Sequence, residues 1–424
     1  MATYITRTAT ANNNSVGKWT FSCWIKRNKI SHESNIISFF STNNYRSALR
    51  FDSDDKLRFY EVWNGSAIVS KATNRVFRDT SGWYNIILAV DKTVSSPDTQ
   101  IYVNGVATTS WSADDDYTQN ESGKFNDAEA ININAEQSGT GIGECLMSHV
   151  HFCDGTKYQA SDFGSTDNVT GQWKINTSPS VSYGTNGFFI LKDGNSVTDQ
   201  SGNSNNFTVA GGTLTNTEDC PSNVFATMSP LHKGSNVALT NGNLTCTGSG
   251  SNASVASTLA VSTGKWYWEA KLNSSTNNYF NVGILKSDVR IDNLAFPGDV
   301  ADGYVYAVDG NIYRSGSSLL STGTTLSVGN IVGFLLDLDN GTLKLKVNGS
   351  DVYSGNAVVS SLNTGDFWYV AQGANPSSVD INFGNGYFGT TAISSEGTNA
   401  SGNGKFEYDV PTGYTALSTK GLNE

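Results

Sequence analysis

Val332-Gly333-Phe334-Leu335-Leu336-Asp337-Leu338 runs through Asp339-Asn340-Gly341 into Thr342-Leu343-Lys344-Leu345-Lys346-Val347-Asn348-Gly349, and this stretch decides the fold class. Its first part is a long apolar strand. Its second part has a period of two: Leu343, Leu345 and Val347 face inward while Lys344 and Lys346 face outward. Asn340-Gly341 and Asn348-Gly349 punctuate the strands. Asn-Gly suits a type I′ hairpin turn, because both central residues take positive φ at low cost.

The same device occurs earlier in the chain. Asn85-Ile86-Ile87-Leu88-Ala89-Val90-Asp91 leads to Gln100-Ile101-Tyr102-Val103-Asn104-Gly105. Near the start, Phe21, Cys23 and Ile25 share one face of Thr20–Lys26. Short alternating strands with a turn signal every ten or so residues predict an all-β chain of two antiparallel β-sandwiches. The dense regions place a first sandwich at 1–155 and a second at 225–391. Residues 156–224 are poor in apolar runs, as in Asp199-Gln200-Ser201-Gly202-Asn203-Ser204-Asn205-Asn206, yet hold Trp173 and Phe188-Phe189-Ile190-Leu191. They are expected as an ordered connector. Residues 392–424 carry Phe406-Glu407-Tyr408-Asp409-Val410-Pro411 and are expected to dock as a tail.

Composition agrees. Only 15% of the 424 residues are charged, and 43 are Gly, against about 25% charged and roughly 7% Gly in average domains. That excludes long helical bundles. The net charge of −11, with no Lys/Arg run longer than two, excludes nucleic acid as a main partner. The cysteines, Cys23, Cys145, Cys153, Cys220 and Cys246, are odd in number and lack any C-x-x-C, so free thiols are expected. Met1–Arg7 lacks the apolar core of a signal peptide, and no apolar run reaches bilayer length. Synthesis in a cytoplasm without membrane insertion is expected. Asn-x-Ser/Thr triplets such as Asn64-Gly65-Ser66 and Asn252-Ala253-Ser254 are what an Asn-rich composition generates by chance.

Four segments in order give a resemblance to the SPRY domain over residues 264–384: Gly264-Lys265-Trp266-Tyr267-Trp268-Glu269, Asn281-Val282-Gly283-Ile284, Val328–Asp339, and Val379-Asp380-Ile381-Asn382-Phe383-Gly384. Residues 16–155 resemble a laminin G or concanavalin A-like lectin domain, through Lys18-Trp19-Thr20-Phe21-Ser22-Cys23-Trp24, Gly82-Trp83-Tyr84, Ile101–Gly105 and Ser148–Phe152 before Asp154-Gly155. The pairing is similar to proteins encoded by bacteriophages of marine bacteria. What this resemblance implies is a non-enzymatic virion surface protein, a tail fibre or appendage made in the bacterial host cytoplasm. It would attach to host-surface glycan and assemble with itself and with tail or capsid proteins. A capsid decoration or head-fibre protein without a receptor role is the alternative. A secreted carbohydrate-active enzyme is disfavoured.

A retaining glycosidase needs two carboxylates about 5 Å apart. The glucanase pattern Glu-x-Asp-x-x-Glu is absent, and the nearest pair, Asp337-x-Asp339, runs into a turn. His149 and His151 fall on one strand face and could chelate a metal. Calcium could sit on hard oxygen ligands from two acidic loops, with Asp52, Asp54 and Asp55 in one and Asp114 and Asp116 in the other. Solvated acidic turns are the plainer reading. Trp19, Trp24, Trp83, Trp266 and Trp268 are expected in cores. Trp63 with Asn64, and Trp111 with Asp114, lie beside turns and are the candidate sugar contacts. In the SPRY-like half, Asp288–Asp302 and Tyr304–Tyr313 are expected as rim loops.

Overall fold

A computed structural model describes residues 3–12, 17–137, 139–192, 194, 196–275, 280–373 and 376–423. The chain divides into two compact units, Met1–Asn216 and Thr217–Glu424. Each is an antiparallel β-sandwich.

In the first unit an eight-stranded sheet has the order Trp111–Asp115, Ser66–Val76, Lys56–Trp63, Tyr45–Phe51, Ser34–Thr42, Ala130–Ile133, Tyr4–Thr8, Thr208–Gly211. Facing it is a six-stranded sheet ordered Phe188–Ile190, Cys145–Asp154, Lys18–Arg27, Tyr84–Asp91, Asp98–Val103, Val106–Ala107. Alternation supplies the core between them. Leu49, Phe51, Leu57 and Phe59 come from one sheet, and Trp19, Phe21, Ile86, Leu88 and Phe152 from the other. Trp19 is fully buried. It stacks on Phe125 at 4.0 Å and meets Phe59 edge-on at 5.7 Å, the two geometries that aromatic quadrupoles favour.

In the second unit a seven-stranded sheet contains Asn281–Lys286, Gly303–Ala307, Asn311–Arg314 and, at its edge, Ser317–Ser321. The opposing eight-stranded sheet has Lys265–Ser275 between Ser377–Asn382 and Ile331–Asp337. Trp268 and Phe334 stack at 5.0 Å inside this sandwich. Trp24, Trp83 and Trp266 are buried as well.

The Val-Asn-Gly turns serve the same purpose twice. Asn104 and Gly105 have φ of 50° and 77°, and Asn348 and Gly349 have φ of 48° and 78°. Both pairs close two-residue hairpins. Each Asn side chain also accepts an N–H from the start of the neighbouring strand, Asn104 from Asn85 and Asn348 from Ile331. Asn340-Gly341 departs from the expected two-residue turn. Asp337 pairs with Thr342, so four residues intervene, and Asp337 holds the turn by accepting the Asn340 N–H and side-chain amide.

Residues 156–224 do not run as a separate connector: those up to Asn216 lie within the first unit. Phe188–Ile190 pairs with Cys145–Asp154, and Thr208–Gly211 with Tyr4–Thr8. The polar run Asp199–Asn206 is ordered by hydrogen bonding instead of apolar burial. Asp199 accepts from the N–H of Phe189, Ser201 and Asn205, while Asn203 and Asn205 donate to Gly187 O. The second unit repeats the turn at Asn399-Ala400-Ser401-Gly402-Asn403. Ser401 donates to Asn399, and the Ser401 hydroxyl accepts the Asn403 N–H. A side chain that satisfies local backbone groups does the work of a strand ladder here.

Candidate binding groove

A sandwich hides one face of each sheet and must deal with the other. The outer face of the six-stranded sheet is covered by Phe163, Tyr158, Trp173, Val181 and Tyr183 packed on Ile87 and Cys153. Trp173 seats its ring on Gly105 and donates to Asn85 at 3.0 Å. In the second unit Phe406, Val410 and Tyr414 cover Tyr267 and Leu335, and Ile291, Leu294 and Val300 cover Leu285 and Ala371. Among the described residues no such cluster lies on the outer face of the first unit's eight-stranded sheet. That face carries instead a polar groove of about 560 Å³.

The groove follows from alternation. In Tyr45–Phe51 the core takes Leu49 and Phe51, so Arg46 and Arg50 point out. In Lys56–Trp63 the core takes Leu57 and Phe59, so Arg58, Tyr60 and Val62 point out. Register sets Arg50 opposite Arg58. Asp52 bridges them, accepting from Arg50 Nε at 2.8 Å and Arg58 Nε at 2.6 Å. Arg50 Nη1 also reaches Glu33 at 2.8 Å, and Arg58 Nη1 donates to Ser70 at 3.0 Å. The Tyr60 hydroxyl donates to Glu136 at 2.5 Å, and Arg46 pairs with the same carboxylate at 3.6 Å. Arg50 lies 4.9 Å from the Tyr60 ring centroid. Burial, followed by the hydrogen bond to Glu136, raises the Tyr60 hydroxyl far above the ordinary phenol range, so it stays a donor. Val62 and Ala67 close the apolar end. The arrangement is an array of planar donors and acceptors held by its own ion pairs.

The sites expected from sequence fall elsewhere. Trp63 meets Tyr45 edge-on at 5.3 Å, with Lys124 Nζ 5.6 Å from its ring, and Asn64 accepts from the Tyr45 hydroxyl. Trp111 packs against the core edge under Lys71, whose ammonium lies 4.9 Å from its ring and pairs with Asp114. Ser66, opposite Trp63, and Thr73, opposite Trp111, are seven residues apart on one strand, about 20 Å. The two tryptophans therefore do not form one sugar platform.

The acidic candidates are likewise shared out among cations. Asp52 serves Arg50 and Arg58, Asp54 pairs with Lys56, Asp55 with Arg27 and Arg78, and Asp114 and Asp116 with Lys71. Among the described residues no three His, Cys, Asp or Glu side chains converge on a metal position. Calcium added to chelator-treated protein is expected to leave the thermal midpoints unchanged, as differential scanning fluorimetry would read. A rise of several degrees would reveal a site.

His149 and His151 are separated by a bulge. His149 has φ of 48°, and the ring centroids are 6.5 Å apart. His151 is buried on Phe189, and burial holds it well below the ordinary imidazole range. Asp337 pairs with Lys265 on the strand face it shares with Leu335, while Asp339 accepts the Gly264 N–H. Of the expected rim loops, Tyr304–Tyr313 is instead a hairpin of two paired strands, and Asp288–Asp302 contributes the cover over Leu285. All five cysteines are free.

The groove residues were missed although their signal was present. Arg46-x-x-x-Arg50 and Arg58-x-Tyr60 each mark one face of a strand, but only pairing shows that the two faces are one surface.

Residues 2–138 match the family described as the concanavalin A-like lectin/glucanases superfamily, and residues 265–386 match the SPRY domain. Solved structures similar to the chain include the SPRY domain of human HERC1, at 18% identity, covering 36% of this chain and 96% of that one with a TM-score of 0.31. The TRIM65 PSpry domain is similar at 12% identity, covering 37% and 88%, also with a TM-score of 0.31. No curated protein matches the chain.

Proposed function

We propose that this chain is a non-enzymatic surface protein of a bacteriophage particle, a tail fibre or appendage. Its lectin-type sandwich binds glycan on the host surface, and its SPRY-type sandwich binds protein. The observation that carries the reading is the uncovered outer face of the eight-stranded sheet, with Arg46, Arg50, Arg58 and Tyr60 arranged in a groove. Pockets of this kind, in which a few placed polar groups fix orientation, are the ordinary form of a ligand site. Every carboxylate along it is already held by a cation, which supports binding over acid–base chemistry.

Assembly has its own support. Ser317–Ser321 is an edge strand without a charge, and its Leu319 is exposed. Such an edge can pair with a neighbouring chain, which favours a capsid-decoration role or a homo-oligomer as the second reading. Mass spectrometry of purified particles is expected to find the protein, and purified protein is expected to compete with particles for adsorption. Absence from particles would overturn the virion reading. Presence without competition would leave decoration as the role.

A further inference from the structure

The charge balance of the groove points to its ligand, granting the glycan-binding reading above. We propose that the groove takes an electrically neutral, hydroxyl-rich glycan segment lying along the strand direction. Three guanidiniums, Arg46, Arg50 and Arg58, face three carboxylates, Glu136, Glu33 and Asp52, and each is engaged. Asp54 is matched by Lys56. A uronate or sulfate would have to displace a carboxylate or add uncompensated negative charge, and the chain's net charge of −11 opposes it at longer range. A cationic ligand would meet arginines whose carboxylates are already taken.

A neutral polyol needs the opposite of a free charge. Vicinal hydroxyls donate and accept at once, so they bridge a guanidinium and a carboxylate that are already fixed side by side. Asp52 between Arg50 and Arg58 supplies that pairing at one end. Arg46 supplies it at the other, where it pairs with Glu136. Because the array is held by its own ion pairs, little side-chain freedom is lost on binding. Arg46 and Asp52 are six residues apart on the Tyr45–Phe51 strand and its extension, about 20 Å, so the groove is long enough for several sugar rings. Tyr60 has one ring face under Arg50 and only 8% of its surface exposed. Recognition therefore rests on directional hydrogen bonds and on Val62 and Ala67 for the apolar sugar faces, not on aromatic stacking.

The test is titration calorimetry of the full chain with neutral laminarin, mannan and agarose oligosaccharides, and with alginate and sulfated galactan as anionic probes. At least one neutral probe is expected to bind, with affinity within about twofold between roughly 0.1 M and 1 M salt, since screening acts on net charge. Arg58→Ala is expected to weaken it by tenfold or more, the order of one lost hydrogen bond to a charged group. Ala67→Trp, at an exposed position, should block the groove to the same extent without touching an ion pair. Trp111→Phe should bind as the unaltered chain does. Binding confined to the anionic probes, and lost in high salt, would overturn neutrality while leaving glycan binding intact. Binding of no probe of either kind would overturn the glycan reading itself. Neutral binding that survives both Arg58→Ala and Ala67→Trp would overturn the groove as its place.

Discussion

Asp55→Ala is expected to destabilise the first unit by about 3–5 kcal/mol, the cost of leaving one member of a buried ion pair without the other. Arg27 and Asp55 are 2% and 0% exposed at their side chains, with Nη1 and Oδ1 3.0 Å apart. Arg27 also donates to Phe77 O and lies 4.3 Å from the Phe51 ring centroid. Asp55 further accepts the Ser31 N–H at 2.7 Å and Arg78 Nε at 2.9 Å. Its φ of 66° adds a conformational cost for alanine. Burial would raise this carboxyl, but the Ser31 N–H, Arg78 and Arg27 outweigh it and hold it below the ordinary range. Its contribution is thus present above the unfolded value near 4 and lost as pH falls through the folded one. Urea unfolding of the full chain should show the first unit's transition moved to lower denaturant. Asp55→Asn, which keeps the shape and an acceptor for Ser31, should lose less. A loss under about 1 kcal/mol for Asp55→Ala, the worth of a surface pair, would refute the buried-pair account.

Asp55 also shows what could be read from sequence and what could not. Asp52-Ser53-Asp54-Asp55 reads as an acidic turn, and three solvated carboxylates or a calcium loop are the natural inferences. Arg50 is a near neighbour in sequence, but Arg27, Arg58 and Arg78 come from other strands and segments, and only the fold brings them in. Strands, Asn-Gly hairpins and core tryptophans were legible because each is a local rule of period or turn geometry. Trp173 and Phe406 were visible as aromatics in polar surroundings, but the sheet faces they cover depend on long-range packing. Residues 156–224 read as a connector for the same reason. Their order comes from Asp199, Asn203 and Asn205 bonding to backbone, which an apolar pattern does not record.

Stability is expected to fall as pH rises from about 5 to 8, because each unit buries one glutamate beneath a crossing segment. Glu269 accepts the N–H of Glu407 at 3.0 Å and of Tyr408 at 2.9 Å, with the Tyr267 hydroxyl and the Asn382 amide as further donors. Glu61 does the same for the N–H of Lys124 and Phe125, with the Tyr117 hydroxyl. Both glutamates are fully buried. Burial, opposed at Glu61 by the Lys92 charge and at both sites by these donors, raises each carboxyl from 4.5 to about 7. The folded state therefore holds a proton that the unfolded chain has released. The resulting stability is complete below pH 4.5 and is lost as pH rises through 7. A shift of this size is worth about 3 kcal/mol per site over that window. Glu269→Gln should flatten the second unit's pH profile and Glu61→Gln the first's, each leaving the other unit's slope in place. Glu269→Ala goes further, since it orphans two buried N–H groups at about 1–3 kcal/mol each. It should loosen the covering segment, exposing Phe406 and Tyr408 to chymotrypsin at concentrations that leave the unaltered chain intact. Melting curves at pH 5 and pH 8 with equal midpoints would show that the glutamates stay ionised throughout, with the N–H donors outweighing burial.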